Sequence, residues 1–185
     1  MDVFEAIHQR HSIKMVKQDA VPRQLIEKLL DAAVQAPNHY RVRPWRFVVL
    51  TGEGRTRLGD VMAASTARHH PEFPPEALEK CRATPLQAPL VIAVGVEKPT
   101  ETKVLEIENI CAAAAATQNL LLAAHAMGLG AKWRTGEWAR DVMVKGFLGF
   151  ETDQHIIGFI YIGYPEFTAE FLPRPSFEDR TVWME

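Results

Sequence analysis

Residues 102–135 read TKVLEIENICAAAAATQNLLLAAHAMGLGAKWRT, and this stretch organises the rest of the chain. Its apolar residues cover every side of a helix, which predicts a long central helix that is buried all round. The alanine run favours helix formation. Gly128 suits the left-handed position that ends a helix, and residues 129–133 are predicted to leave the core as a short extended segment. We therefore predict that the helix delivers four consecutive residues to a functional site: Trp133, Arg134, Thr135 and Gly136.

Composition and charge restrict the class of protein. A chain of 185 residues with 47% hydrophobic and 24% charged residues is typical of one globular domain, here residues 1–185. The net charge of -2 does not favour nucleic-acid binding. No apolar run approaches the roughly 20 residues that span a membrane, and the N-terminus carries Asp2 and Glu5 rather than a signal peptide. The cysteines, Cys81 and Cys111, are far apart and fit a reducing cytoplasm.

Hydrophobic periodicity predicts an α+β fold. Apolar runs predict strands at 45–50, 90–96 and 156–162, and an unbroken run such as 45–50 indicates burial on both faces. A turn is predicted at 52–54. Helices are predicted near residues 3–10, between Pro22 and Pro37, and at 55–68, 76–82 and 139–147. The result is a small sheet flanked by helices, with the alanine-rich helix in the middle.

Several common motifs are absent from the sequence. The Gly128-x-Gly130 pair follows a helix and precedes a strand, the reverse of a dinucleotide fingerprint. Gly52-Glu53-Gly54 lacks the Gly-Lys-Ser/Thr ending of a phosphate loop, and no GxSxG motif occurs. His69 and His70 have no supporting cluster of Cys, His or Asp, so no metal site is predicted.

Polar loops between the buried elements carry the stronger signals. In Arg10-His11-Ser12-Ile13-Lys14, two fixed cations, an imidazole and a hydroxyl follow a helix end, and a guanidinium matches phosphate oxygens. The alternative is a solvated basic turn. Residues 36–47 could be only a helix stop, a loop and a strand start. Residues 133–136 could be a strand end with an aromatic in the core, and Arg174 a plain charge in the tail.

Taken in order, these segments resemble the FMN-dependent nitroreductase family in its short bacterial form. The resemblance covers nearly the whole chain. The segments that carry it are Arg10-His11-Ser12-Ile13-Lys14, Ala36-Pro37-Asn38-His39, Pro44-Trp45-Arg46-Phe47, the alanine-rich helix with Gly128-Leu129-Gly130 and Trp133-Arg134-Thr135-Gly136, residues 157–165 (IGFIYIGYP), and Pro173-Arg174-Pro175.

The resemblance implies a nitroreductase-like fold with a small mixed sheet around the long central helix. It also implies an intertwined homodimer with one FMN at each of two subunit interfaces. A partner subunit would give the apolar tail a surface to pack against. The tail residues concerned are Phe167, Phe171, Leu172, Phe177, Val182, Trp183 and Met184.

The same resemblance assigns roles to individual residues. Arg10, Ser12 and Arg174 would hold the flavin phosphate, with His11 nearby, and Lys14 would lie near the N1/O2 edge of the ring. The tetrad Trp133, Arg134, Thr135 and Gly136 would flank the ring and the ribityl chain. Pro37, Asn38 and His39 would approach the isoalloxazine, His39 from the partner subunit. Arg43 stands where many members have Gln, and it either changes substrate preference or faces solvent.

The implied activity is a ping-pong reaction. Hydride from NADH or NADPH would pass to flavin N5 and then to a small electron-poor acceptor such as a nitroaromatic or a quinone. Such chemistry requires no dedicated acid or base, so no catalytic side chain is predicted. Two alternatives stay open: a flavin-binding protein without turnover, and a relative that reduces an activated alkene or fragments the flavin ring.

Overall fold

A computed structural model describes residues 1–167 and 174–185. Its four strands are β1 (Trp45–Thr51), β2 (Leu90–Val96), β3 (Gly130–Arg134) and β4 (His155–Gly163), and they form one sheet in the order β1-β2-β4-β3. All three pairings are antiparallel. The predicted α+β class is confirmed, whereas the prediction of a mixed sheet is wrong for the described residues. In the described sheet, the strands that run in the same direction, β1 with β4 and β2 with β3, are each separated by a strand of the opposite direction.

The described residues form six α-helices around this sheet: α1 (Val3–Gln9), α2 (Arg23–Ala33), α3 (Gly52–His69), α4 (Pro75–Ala83), α5 (Glu106–Ala126) and α6 (Val142–Phe147). The turn predicted at 52–54 is wrong, since α3 begins at Gly52. Gly128 has a φ of 74°, as predicted for the residue that follows the central helix. Within the described ranges, no helix combines the length and the hydropathy that a bilayer crossing requires.

The two faces of the sheet carry separate hydrophobic cores. On one face, Leu29 of α2 and Leu120 of α5 pack with Ile92 and Ile160. On the other, residues of α3 and α6 pack with Val91 and Phe159 of the central strands. β2 is buried along its whole length. β1 is an edge strand in which only Leu50 is buried, so its predicted burial on both faces is wrong.

The central helix, α5, is not buried on every side in the protomer. Ile107 is 60% exposed, and Cys111 and Gln118 are exposed as well. These positions are four and seven residues apart, so they lie along one stripe of the helix. The first residue of this stripe, Ile107, is apolar, and no other residue in 1–167 or 174–185 covers the stripe. The prediction of a helix buried all round is therefore wrong for the protomer.

Candidate functional site

The two ends of the described chain meet at Arg10. This residue caps the C-terminus of α1, and the Arg174 Nη2 donates a hydrogen bond of 2.7 Å to the Arg10 carbonyl oxygen. Burial and then the positive charge of Arg174 lower the pKa of the Arg10 guanidinium. Among the described residues, neither guanidinium has a carboxylate oxygen within 4.0 Å. Two cations without an acid are suited to an oxyanion such as phosphate.

Two imidazoles lie beside this arginine pair. The His11 Nδ1–H donates to the Gln9 carbonyl oxygen at 2.8 Å. The Nε2 atoms of His11 and His125 are buried and have no hydrogen-bond partner in the described ranges. Both rings line a cavity of about 450 Å³. Burial, followed by the charges of His11 and Arg10, lowers the pKa of His125.

His125 is a candidate site residue that the sequence prediction did not include. It lies in the last turn of α5, where it reads as an ordinary helix-terminal residue. The one sequence feature that could have indicated a role for this residue is that its imidazole lies in a helix otherwise rich in alanine and leucine. Its orphaned ring nitrogen is a hydrogen-bonding position that a ligand can use.

The segment after His11 follows the outer edge of β3. The Ile13 N–H donates to the Ala131 carbonyl oxygen at 3.0 Å, and Val16 pairs with Pro165. Ser12 and Lys14 are both exposed along this segment. The edge of β3 thereby places Lys14 beside the C-terminal half of that strand.

A second group of cations forms where Lys14 meets β3. The Lys132 Nζ lies 3.4 Å from the Lys14 carbonyl oxygen and 2.9 Å from Gln87 Oε1. Arg134 also donates to Gln87 Oε1, at 3.4 Å. Both cations lie over the ring of Tyr161, at 5.1 and 5.6 Å from its centroid. The sequence prediction missed Lys132, although alternation along β3 places it on the same face as Arg134.

The charges and burial of this group shift two pKa values. Burial, and then the charges of Arg134 and Lys14, lower the pKa of Lys132. Burial raises the pKa of Tyr161 to about 12, against the effect of Arg134. The phenol therefore stays neutral at physiological pH, and the group is positively charged.

The tetrad 133–136 does not form one surface. Trp133 is 37% exposed, and its Nε1–H donates to the Ile157 carbonyl oxygen at 3.0 Å. Trp133 and Arg134 lie on opposite faces of β3, as successive strand residues do. Thr135 and Gly136 follow the strand and line a pocket of about 310 Å³. The structure therefore divides the tetrad among three environments.

The loop from Pro37 to Arg43 is compact. The Asn38 Oδ1 accepts a hydrogen bond of 2.9 Å from the Arg43 backbone N–H. Between them, Tyr40 and Arg41 have positive φ angles, as does Arg43 itself. The Arg43 side chain faces solvent in the protomer.

This loop lies against the exposed stripe of α5. The His39 Nδ1 is 2.7 Å from Glu108 Oε1. Pro37, Asn38 and His39 line a cavity of about 480 Å³ together with Ile107 and Cys111 of α5, among others. The predicted ring-binding residues of this loop are thus gathered in one place.

Within one protomer, the loop and the arginine pair are far apart. His39 contacts the first turn of α5 at Glu108, whereas Arg10 and His11 influence His125 in the last turn. Seventeen residues of α-helix separate those two contacts, which is about 26 Å. A single chain does not bring the two groups together.

His69 and His70 are engaged with carboxylates. The His69 Nε2 lies 2.9 Å from the buried Asp141 Oδ2, and the His70 Nε2 lies 3.3 Å from Glu137 Oε2. No cluster of three His, Cys, Asp or Glu side chains suited to a metal ion occurs in the part of the chain that the structure describes.

Comparisons with known proteins point to one family. A family model described as "Nitroreductase family" matches residues 7–164. A relative from Escherichia coli (strain K12), provisionally named NAD(P)H nitroreductase YdjA, is 31% identical over 169 residues, which is 91% of each chain.

Solved structures show the same likeness. A crystal structure of a nitroreductase-like family protein from Bacillus cereus is 27% identical, with a TM-score of 0.86 over 100% of this chain and 97% of that one. A protein from Desulfovibrio desulfuricans, provisionally described as a nitroreductase and crystallised in complex with FMN, is 26% identical, with a TM-score of 0.75 over 100% and 97% of the two chains.

Proposed function

The chain belongs to the nitroreductase family, and from this premise we propose that it is an FMN-dependent NAD(P)H oxidoreductase. Its substrates would be small electron-poor acceptors, such as nitroaromatics and quinones. The similar E. coli protein is provisionally named for NAD(P)H nitroreductase activity, and the similar D. desulfuricans protein was crystallised with FMN. Both likenesses support the proposal.

The observation that carries the proposal is the meeting of Arg10 and Arg174. Burial and then the charge of Arg174 lower the pKa of the Arg10 guanidinium, so two positive charges held here are unfavourable without an anion. The doubly charged phosphate of FMN supplies that anion, and each guanidinium offers a planar set of donors for its oxygens. His11 and His125 add two ring nitrogens whose hydrogen-bonding capacity is unused by the described residues. Ser12, two residues after Arg10, adds a hydroxyl donor.

When bound, FMN supplies the redox chemistry by taking hydride from NAD(P)H and passing electrons to the acceptor. Lys14 would lie near the N1/O2 edge of the ring and would stabilise the negative charge that reduction creates. Lys132 and Arg134 place two further positive charges close to Lys14. In a site from which water is excluded, fixed charges of this kind act much more strongly than in water.

The separation of the two residue groups supports a homodimer. Because the arginine pair and the loop at His39 lie at opposite ends of α5, the phosphate and the ring of one FMN require residues of two subunits. We place His39, with Pro37 and Asn38, on the partner side of the flavin. A second copy would also cover the exposed stripe of α5 and the exposed terminal residues, such as Phe4, Phe177 and Trp183.

The cellular setting follows from the reductant. Both cysteines are free, which agrees with a reducing compartment. We therefore place the protein in the cytoplasm, where NAD(P)H is available.

An absorption spectrum tests the function directly. The purified protein is expected to be yellow and to contain FMN. Anaerobic NADPH or NADH should bleach the flavin band, and a nitroaromatic should restore it. A colourless protein that does not take up added FMN contradicts the proposal. Tight FMN binding without oxidation of NAD(P)H would instead indicate a flavin-binding protein, and product analysis would reveal reduction of an alkene.

A further inference from the structure

A small positively charged pocket lies at the end of the tetrad. Thr135 and Gly136 form part of its wall, and Arg140 and Lys145 contribute the charges. No Asp or Glu is among its lining residues. Its volume, about 310 Å³, admits a phosphate or a carboxylate with part of a ring, and is too small for a dinucleotide. The pocket therefore has room and charge for one anionic group.

Lys145 is the unusual member of this pocket. It is 8% exposed, and its Nζ donates to the Thr152 carbonyl oxygen at 2.8 Å. No carboxylate oxygen lies within 4.0 Å of this ammonium in residues 1–167 or 174–185. Buried charges in proteins are normally paired, and an ammonium has three donors. Lys145 thus lines the cavity with donor capacity that the described residues do not use.

The acids near the pocket are paired with groups other than Arg140 and Lys145. Glu106 Oε1 lies 2.9 Å from the Nε2 of the lining residue His155 and 3.0 Å from Lys98 Nζ. Glu137 and Asp141, which flank Arg140 in sequence, contact His70 and His69. Arg140 itself is exposed and forms no ion pair with any described carboxylate. The two positive charges of the pocket are therefore available to a ligand.

The pocket also lies beyond the end of the cation group at Lys14. Lys132 contacts the Lys14 backbone, whereas Thr135 and Gly136 line the pocket, three and four residues further along the chain. Three extended residues cover about 10 Å. An anion in the pocket would therefore lie beyond the residues that we assign to the flavin edge. A molecule that exchanges hydride with the ring can extend into this space.

We propose that Arg140 and Lys145 form an oxyanion-binding subsite for a phosphate or carboxylate group of the molecule that exchanges hydride with the flavin. This inference rests on the proposed function. The anion has two possible sources, a phosphate of the nicotinamide donor or a carboxylate of an aromatic acceptor. The chemistry is the same in both cases, and the experiment separates them.

Calorimetric titration of the FMN-saturated dimer, without turnover, is the test. One pair of probes is 4-nitrobenzoate and 4-nitrobenzamide, which differ in charge. The other pair is adenosine 2′,5′-bisphosphate and AMP, which differ by one phosphate. In the wild type, at least one anionic probe should bind about tenfold or more tightly than its matched control, as expected for charge-assisted hydrogen bonds.

Arg140→Gln should remove that preference, and Arg140→Lys should restore part of it. Arg68→Gln, which removes an exposed arginine from α3, should leave it unchanged. Loss of the preference for 4-nitrobenzoate alone identifies the acceptor as the source, and loss for the bisphosphate alone identifies the donor. Lys145→Gln, whose amide can still donate to Thr152, is the second variant.

Three results would overturn the subsite. One is a wild type that does not distinguish either pair of probes. Another is an Arg140→Gln variant with unchanged preferences. The third is loss of FMN affinity in that variant, which would place the flavin phosphate in this pocket. Failure of the proposed function can be told apart from failure of the subsite. A protein that takes up no FMN contradicts the proposed function before any probe is added. The same titrations on the flavin-free protein would still measure anion binding in the pocket.

Discussion

The guanidinium of Arg174 donates a hydrogen bond of 2.7 Å to the backbone carbonyl of Arg10, across 164 residues of sequence. The contact brings two fixed positive charges together at the end of α1. Burial and the neighbouring charge both oppose the protonated form of Arg10. An anion bound between the two side chains would offset this unfavourable effect on the protonated form of Arg10.

Arg174→Gln is expected to weaken FMN binding by about 10- to 100-fold, because a charge-assisted hydrogen bond contributes roughly 1.5–3 kcal/mol. Fluorescence titration of the flavin-free protein with FMN measures the change. The effect should grow at low ionic strength, where charge interactions are less screened. Arg180→Gln, which changes an exposed arginine six residues further on, is the control. Equal affinities for wild type and Arg174→Gln would disprove the phosphate assignment.

Lys132→Met is expected to lower the two-electron reduction potential of the bound flavin by roughly 30 mV, which corresponds to about 1.4 kcal/mol. The variant removes one positive charge next to Lys14 and also the hydrogen bond that holds the Lys14 carbonyl. Lys14→Ala should shift the potential in the same direction. Dye-equilibrated redox titration gives the values, with Lys28→Met on the exposed side of α2 as the matched control. A potential that stays the same in both site variants rules out this role.

Asp141 is expected to stabilise the fold in a pH-dependent way. Burial alone would raise the pKa of this carboxyl, but hydrogen bonds from the Val144 N–H, His69, Ser65 and the Met143 N–H lower it below its usual 3.8. A lowered folded-state pKa contributes stability that is present above the unfolded-state pKa and is lost as the pH falls through the folded-state pKa.

Asp141→Asn should therefore be less stable than the wild type at pH 7, and the difference should shrink below about pH 4. Asp141→Ala should lose a further ~1 kcal/mol, since it also removes the N-cap of α6. Urea unfolding between pH 3 and 8 measures both effects. Asp31→Asn, at an exposed position of α2, should follow the wild type throughout. A difference that is constant with pH would show that the charge of Asp141 is unimportant.

Gly158→Ala is expected to displace Trp133. A Cβ at this position would overlap the Trp133 indole and would lie 2.6 Å from the Arg134 carbonyl oxygen. Overpacking of this kind costs about 1–3 kcal/mol, and loss of the Trp133–Ile157 hydrogen bond should also weaken FMN binding. Gly146→Ala is the control, because nothing lies within 4 Å of its added Cβ. The prediction fails if Gly158→Ala melts and binds FMN like the wild type.

Ile107→Glu is expected to dissociate the proposed dimer, because it places a charge in the apolar part of the exposed α5 stripe. Sedimentation velocity should show a shift from dimer to monomer, accompanied by a loss of FMN. Val142→Glu replaces another exposed apolar residue, on α6, and should stay dimeric. A wild type that sediments as a monomer, while holding FMN, would refute the two-subunit site.

The fold was predictable where a strand is central. β2 has the predicted bounds because it is buried along its whole length and its apolar run is flanked in sequence by Pro89 and Glu97. β1 has a similarly apolar sequence but lies at the sheet edge, and strand order is not visible in a local run of residues. The same limit applies to α5, whose exposed stripe is chemically similar to its buried sides.

The candidate site residues were predicted mainly from the family resemblance. The contact between Arg10 and Arg174 spans nearly the whole chain, and no local pattern predicts it. By contrast, strand alternation alone predicts that Trp133 and Arg134 lie on opposite faces of β3 and that Lys132 lies on the same face as Arg134. His125 was missed because its significance depends on the neighbouring His11 and Arg10, which only the folded chain reveals.

The loop between Asn38 and Arg43 has a consequence for assembly. Three of its residues, Tyr40, Arg41 and Arg43, hold left-handed backbone conformations that cost about 1–2 kcal/mol each. The fold meets this cost before any second molecule arrives. A subunit that docked here, as we propose, would meet a backbone already held in this conformation, so little backbone entropy would remain to be lost on association. The encounter of two copies should consequently be governed by diffusion and orientation rather than by ordering after contact.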